Sequence, residues 1–346
     1  MSFFSKNLTL ISLIAYNALH LTKGNRMNIL NYGAGALGLG IDGCLLKANE
    51  SVDIVARQET VSALKKHGLI RKGIFGNAAA SPDAFSAYTS LNQIPSKTYE
   101  IILVSVKSFD SLTAAKDLAA HPSLWNPKTK IVLCQNGCGN AEIFCSLFTK
   151  KQIYNARIIT GFSRRNPNEV TITVHADDIR IGSLFHSNLK DLKQLCQAIT
   201  EGGIPCAISP DIGKDLWAKM LYNCALNGLG AILDVPYGVL GEFPSTRELM
   251  DGIIDEVFTV MKKAGFKTHW KTAKEYLKIF YTKHLPSTAQ HRSSTLQDIE
   301  AKKKTEIDAL NGAVVKLADQ FNAPAPLNRS VYQMVKFIEG KNFKKR

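Results

Sequence analysis

"MNILNYGAGALGLGIDGCLLKANESVDIVAR" (residues 27–57) holds a short apolar run, a cluster of glycines, an apolar stretch at helical spacing and a second β-branched run. That order predicts strand, turn, helix and strand. The turn, Gly33-Ala34-Gly35-Ala36-Leu37-Gly38, fits G-x-G-x-x-G between a strand and a helix, which is the context that gives the pattern meaning. Gly33 permits a tight turn, Gly35 lets a pyrophosphate approach the backbone, and Gly38 allows close packing of helix on strand. The helix start adds free N–H groups and the positive end of its dipole. The stretch therefore reads as the opening of a Rossmann unit. Asn31 and Tyr32 break its first strand, which otherwise is aliphatic, and predict that the strand ends early.

The choice of dinucleotide lies at the end of the second strand. An acidic residue about 20 positions beyond the glycines would hold a ribose 2′-hydroxyl. This chain has Ala56-Arg57 there, and a guanidinium suits a 2′-phosphate through paired hydrogen bonds. Lys107, at the end of another strand, adds positive charge near the same ligand, while Glu59 stands against it. NADP is the expected cofactor.

Further strands are expected at "YEIILVSVK" (99–107) and "TKIVLCQNG" (129–137), with helical stretches between them. "ARIITGFS" and "EVTITVHADDIRIGSL" add shorter, hairpin-like strands. A helix near 187–202 leads to a last short strand in "GGIPCAISP", closed by Pro210, after which only long helical periods remain. The fold class is thus an α/β N-terminal Rossmann domain followed by an all-α C-terminal domain. Its parts are an extension (1–26), a cofactor-binding domain (27–209) and a helical domain for substrate and catalysis (210–346).

The bulk numbers bound the partners. In 346 residues, 45% hydrophobic and 21% charged content describe a globular chain with a sizeable core. The formal charge of +14 comes partly from the ends and from Lys302-Lys303-Lys304. With no aromatic-interleaved basic motif and no zinc-ligand spacing, it points to small anionic ligands rather than nucleic acid. The seven cysteines form no CxxC pair and lie mostly in apolar runs, as buried thiols of a reducing, cytoplasmic protein would. Cys134 and Cys138 have no metal-ligating neighbours in sequence, so no metal is expected. "LTLISLIAYNALHL" (8–21) is too short and too polar for a membrane span, and no small-residue cleavage site follows it. A start codon placed too early, an export signal and an extra amphipathic helix are its three readings.

A second stretch carries chemistry. In "DLWAKMLYNCALN" (215–227), Asp215, Lys219, Asn223 and Asn227 recur every four residues in an otherwise apolar segment. On a helix they form one stripe, although unpaired polar groups in an interior cost several kcal/mol. An ammonium can stabilise and protonate a developing alkoxide, and amides can grip hydroxyl or carboxylate groups without adding charge. A lysine reaching solvent beside asparagines in a kinked helix is the structural alternative.

Six motifs in order resemble the ketopantoate reductase family of the 6-phosphogluconate dehydrogenase-like superfamily: "GAGALG", "SVK" (105–107), "QNG" (135–137), "IRIG" (179–182), "DLWAKMLYNCALN" and "SSTLQDIEAKKKTEIDALNG" (293–312). The resemblance spans about residues 27–340. It implies NADPH-dependent reduction of a 2-oxo acid, in the route to pantothenate and coenzyme A, by a monomer or homodimer. A reductase of another branched 2-oxo acid and a non-catalytic NADP-binding protein are the rival readings. The resemblance makes Lys219 the general acid and Asn223 and Asn227 substrate ligands. It gives Asn136 contacts to substrate and cofactor, Ser294 a bond to the substrate carboxylate, and Glu306 a place near the lysine and the nicotinamide ribose. By themselves, the residues fit plainer roles as well. Asn136-Gly137 makes a turn, Ser294 with Gln297 a capping box, and Glu306 a surface acid. Twelve residues of straight helix would hold Ser294 and Glu306 about 18 Å apart, too far for both to touch one small acid. Tyr237, expected to line the pocket, and His291 stand where the family pattern has asparagines, which bears on the choice of 2-oxo acid.

Overall fold

Strand β1 (Asn28–Tyr32) is the centre of the sheet, parallel to β2 (Ser51–Val55) on one side and to β6 (Ile101–Val104) on the other. It runs through Asn31 and Tyr32 and does not end before them, because both polar side chains find partners. Tyr32 donates to Asp117 Oδ2 at 2.7 Å. Asn31 Nδ2 donates to Asp42 Oδ2, also at 2.7 Å, inside helix α1 (Ala36–Lys47), and both residues are fully buried. Burial pushes the Asp42 carboxyl up to about 8, against the pull of the Asn31 amide. Asn31 Oδ1 and Asp42 Oδ1 are sealed without partners, a site that suits a neutral carboxylic acid better than a carboxylate.

The computed structural model describes residues 26–344; the apolar segment at 8–21 lies outside them. Among the described residues one ten-stranded sheet runs β4-β3-β9-β8-β7-β6-β1-β2-β5, with β10 beside β9. Three short strands, β3 (Leu69–Gly73), β4 (Ala78–Ala80) and β5 (Ser86–Tyr88), follow α2 (Gln58–His67) in a region where the sequence reading placed no strand. Strands of three to five residues are too short to show a period. The two segments expected as short strands are a long antiparallel pair, β8 (Ile153–Asn166) and β9 (Glu169–Gly182). β6 and β7 (Lys130–Leu133) are shorter than expected. The residues they give up form the loops that carry Lys107 and Asn136 beyond the carboxyl ends of the parallel strands, where such sheets bind ligands.

Strand β10 (Cys206–Ile208) is the last, and every later element is helical. Helix α3 (Ile212–Leu233) is the axis of the second half. Helices α4 (Pro244–Lys263) and α6 (Pro326–Lys344) pack on it, as does the short α5 (Ser294–Glu300). Its Met220, Leu221, Cys224 and Leu226 join Ile253, Ile254 and Val257 in one core. Among the described residues no helix is long and apolar enough to cross a membrane, no group of His, Cys, Asp or Glu is placed to hold a metal, and the cysteines are free thiols.

Candidate active site

The glycine turn leaves β1 and opens α1. Gly33 has φ +114°, and a Cβ there would lie 2.7 Å from Val106 N; one on Gly38 would lie 2.2 Å from Gly33 O. Both positions exclude other residues. At Gly35 a Cβ would meet nothing within 4 Å, so the first turn of α1 faces open space, where a pyrophosphate fits the free N–H groups. Ala34 is buried, and Ala36 and Leu37 are half-buried against the core below.

Arg57 stands exposed where β2 passes into α2, with no hydrogen bond or ion pair among the described residues. The sequence reading missed its neighbour Arg164. That guanidinium donates to Ala34 O (2.9 Å), Thr60 Oγ1 (2.6 Å) and Pro167 O (2.7 Å), clamping the glycine turn to α2 and β8. Burial lowers the Arg164 pKa, Glu59 opposes that, and Arg57 adds to it, so all three charges share one neighbourhood.

Lys219 lies across the crevice, on α3. Its Nζ donates to Asn136 Oδ1 at 2.6 Å and to the Ile158 carbonyl at 2.5 Å. That carbonyl is available because the β8–β9 ladder slips its register between Arg157 and Ile159. Burial, then the nearby Arg157 guanidinium, push the ammonium down to about 8, while Glu306 and Cys134 pull the other way. Arg157, another residue the sequence reading missed, is itself buried, with Nη2 2.6 Å from Asp177 Oδ2 and Nη1 unpartnered.

Asn136 is both a turn residue and a bridge. Its Oδ1 faces the ammonium and its Nδ2 donates to Glu306 Oε2 at 3.1 Å. Next to it, Gly137 has φ +84°, and Cys138 N donates to Ala309 O, so the turn is docked on the helical half. Glu306 is buried rather than a surface acid, and it reaches Lys219 through the Asn136 amide. It also accepts from Ser108 N (3.0 Å) and Lys107 Nζ (3.4 Å). Lys107 is 2.8 Å from Asp298 Oδ2 as well. Burial lowers its pKa, but Glu306 and Asp298 outweigh that and hold it above the ordinary lysine value. Its charge is therefore paired with carboxylates of the helical half.

The rest of the stripe divides. Asp215 is bound by Ser209 and by His269 Nε2 (2.8 Å), away from the crevice. Asn223 is 7% exposed and makes no side-chain hydrogen bond among the described residues. Asn227 Oδ1 accepts from the hydroxyl of buried Tyr237, and its Nδ2 has no partner among the described residues. Ser293, not Ser294, caps α5, accepting from Leu296 N and donating to Asn227 O. The capping-box alternative is thus overturned, and Ser294, on a helix packed against α3, is half-buried with no hydrogen bond to its hydroxyl among the described residues. The distance problem between Ser294 and Glu306 dissolves because no straight helix joins them. After α5 the chain turns at Lys302 (φ +53°) and folds back, so Asp298 and Glu306 meet the same lysine.

On α3 and the elements that pack against it stand an enclosed ammonium, two amides with unpaired atoms and a hydroxyl, and the glycine turn of the sheet half is open to phosphate. This set can bind a small acid and protonate an oxygen on it.

A family model described as "Ketopantoate reductase PanE/ApbA" matches residues 29–185, and "Ketopantoate reductase PanE/ApbA C terminal" matches residues 211–339. The chain is 37% identical over 319 residues to a 2-dehydropantoate 2-reductase of Aquifex aeolicus, covering 92% of this chain and 99% of the relative. One from Archaeoglobus fulgidus is 29% identical, with 89% and 96% covered. The crystal structure of a PanE/ApbA family ketopantoate reductase from Ralstonia eutropha superposes with a TM-score of 0.77 at 29% identity, covering 92% of this chain and all of that one. D-mandelate dehydrogenase with NADH and anilino(oxo)acetate gives 0.81 at 21% identity, with the same coverage, and shows the shared fold alone.

Proposed function

Because this chain belongs to the ketopantoate reductase family, we propose that it reduces 2-dehydropantoate (ketopantoate) to pantoate with NADPH, serving pantothenate and coenzyme A synthesis. The observation that carries this reading is the Lys219 ammonium. Two of its three N–H donors are taken by Asn136 and Ile158, which leaves the third for the carbonyl oxygen of a bound 2-oxo acid. NADPH, which Arg57 and the turn from Gly33 to Gly38 would hold, would supply the hydride when bound. As negative charge builds on the oxygen, Lys219 stabilises it and hands over a proton.

Asn223, Asn227 and Ser294 hold the acid, and Tyr237 walls its far end. The turn from Gly33 to Gly38 cradles the pyrophosphate, and Arg57, with Arg164 beside it, suits a 2′-phosphate. Asn136 and Glu306 line the nicotinamide side, with Lys107 braced against Glu306. We place the division between cofactor-binding and substrate domains at 209/210. The last strand ending at Ile208 and the long helix starting at Ile212 support it. The setting is cytoplasmic and the active form a monomer or homodimer, with a small-molecule substrate.

Oxidation of NADPH by the purified protein, followed by its absorbance with ketopantoate and with other 2-oxo acids, tests the proposal. Turnover with ketopantoate well above the others supports it, and absence of turnover with any 2-oxo acid overturns it.

A further inference from the structure

The Tyr237 hydroxyl is buried, and its O–H is a donor that needs an acceptor. Among the described residues the acceptor it has is Asn227 Oδ1. This bond settles which way the carboxamide faces, since its oxygen is turned to the phenol and its N–H2 away. The ring is held in place by edge contacts to Tyr222 (5.7 Å between centroids) and His291 (5.3 Å). Asn227 is fixed a second time through its own carbonyl, which accepts from Ser293 Oγ at 3.1 Å. Among the described residues, neither amide proton of its side chain is used.

Position along the helix says what those protons meet. At about 1.5 Å per residue, Asn227 lies about 12 Å along α3 from Lys219, with Asn223 between them. A 2-oxo acid whose carbonyl faces Lys219 and whose chain runs along the stripe passes Asn223 and brings its distal end toward Asn227.

We propose that Tyr237 is a positioning residue that makes Asn227 a donor only, so that the site selects 2-oxo acids carrying an oxygen acceptor, such as a hydroxyl, at the end remote from the reacting carbonyl. This deepens the reductase reading and rests on it. An amide free to rotate would serve a donor or an acceptor equally, and would be left less strongly unsatisfied by a ligand having neither. The locked amide always presents N–H, and an acid with only hydrocarbon there strands it.

The test uses the full chain with NADPH and two acids, ketopantoate and the same acid without its terminal hydroxyl. The wild-type protein should favour the hydroxyl acid in kcat/KM. Tyr237→Phe keeps the ring and removes the lock. It should lower that preference by about fivefold or more, through KM for the hydroxyl acid, without moving the midpoint of the alkaline limb of the pH profile. Asn227→Asp keeps an acceptor for Tyr237 but turns an oxygen to the substrate, and should move the preference toward the deoxy acid. Equal losses for both acids in Tyr237→Phe, or an unaltered preference in both variants, would overturn the proposal by reducing Tyr237 to packing. A wild-type protein that reduces both acids without preference defeats this inference and leaves the reductase reading standing. One that reduces neither defeats the reductase reading itself.

Discussion

Asp42 on α1 and Lys219 on α3 are both ionisable groups set in apolar helices, and both are brought to about 8 from opposite directions. Burial raises the acid and lowers the base by the same mechanism, since each loses its charged form. At neutral pH the outcome is opposite, a neutral carboxyl and a charged ammonium. Their surroundings differ as well. Asp42 closes on Asn31 within a sealed interior, whereas Lys219 keeps a donor free, and on its helix the Asn223 amide and Asn227 Nδ2 have no partner among the described residues. A perturbed pKa alone does not mark a catalytic group; access to the crevice is what supports proposing Lys219, and not Asp42, for that role.

The largest effect that tests this contrast is on turnover. Lys219→Ala should lower kcat by about 10²- to 10⁴-fold with little change in NADPH affinity, while Asp42→Asn should leave kcat within about twofold. Single-turnover NADPH oxidation measures both, and a crippled Asp42 variant beside an active Lys219 variant would reverse the assignment. Cofactor binding should belong to the Rossmann half. Arg57→Ala is expected to weaken NADPH by about 1 to 3 kcal/mol and NADH hardly at all, because it removes a charge-assisted pair to the 2′-phosphate. Titration calorimetry with the two cofactors decides it, and equal losses would remove Arg57 from that role.

Proton dependence sharpens the contrast further. The acid form of Lys219 is present below about 8 and lost above it, so kcat/KM for reduction should be level below that pH and fall toward tenfold per unit above it. Asp42→Asn should retain that limb. The same substitution should act on stability instead. The folded carboxyl titrates near 8 and an unfolded one near 4, so folding takes up a proton between those values. Below the lower value the contribution is fully present; as pH rises it is lost, and above about 8 it is gone. Near pH 7 stability should fall by about 1 kcal/mol for each unit that pH rises, and Asp42→Asn should remove that dependence from urea-unfolding curves taken across this range.

The glycine turn could be read from sequence because all its parts are adjacent. Gly33 to Gly38, the flanking strands and Arg57 fall within one short stretch, and each has a local reason. The Lys219 stripe was readable for a similar cause, helical periodicity, yet that periodicity placed Asp215 on equal footing with the rest, and only tertiary partners set it apart. What stayed hidden depends on distant pairs. Lys107 and Asp298 are separated by 191 residues, and nothing in "SVK" says that the lysine is neutralised from the helical half. The Ile158 carbonyl is a backbone group freed by a bulge, and Arg164 clamps the turn from a strand whose sequence shows only "SRR". Asn31 was misread because its partner, Asp42, was not yet in place to satisfy it.

Glu306 can be regarded as a rivet. It belongs to the helical half, and the groups that reach it, Ser108 N, Lys107 Nζ and Asn136 Nδ2, all belong to the other. To pry the two halves apart at this mouth is to pull Asn136 away from Lys219 in the same movement. The proposed proton donor is therefore assembled by the seam itself: a crevice that gapes loses the alignment of Lys219, and one that shuts restores it.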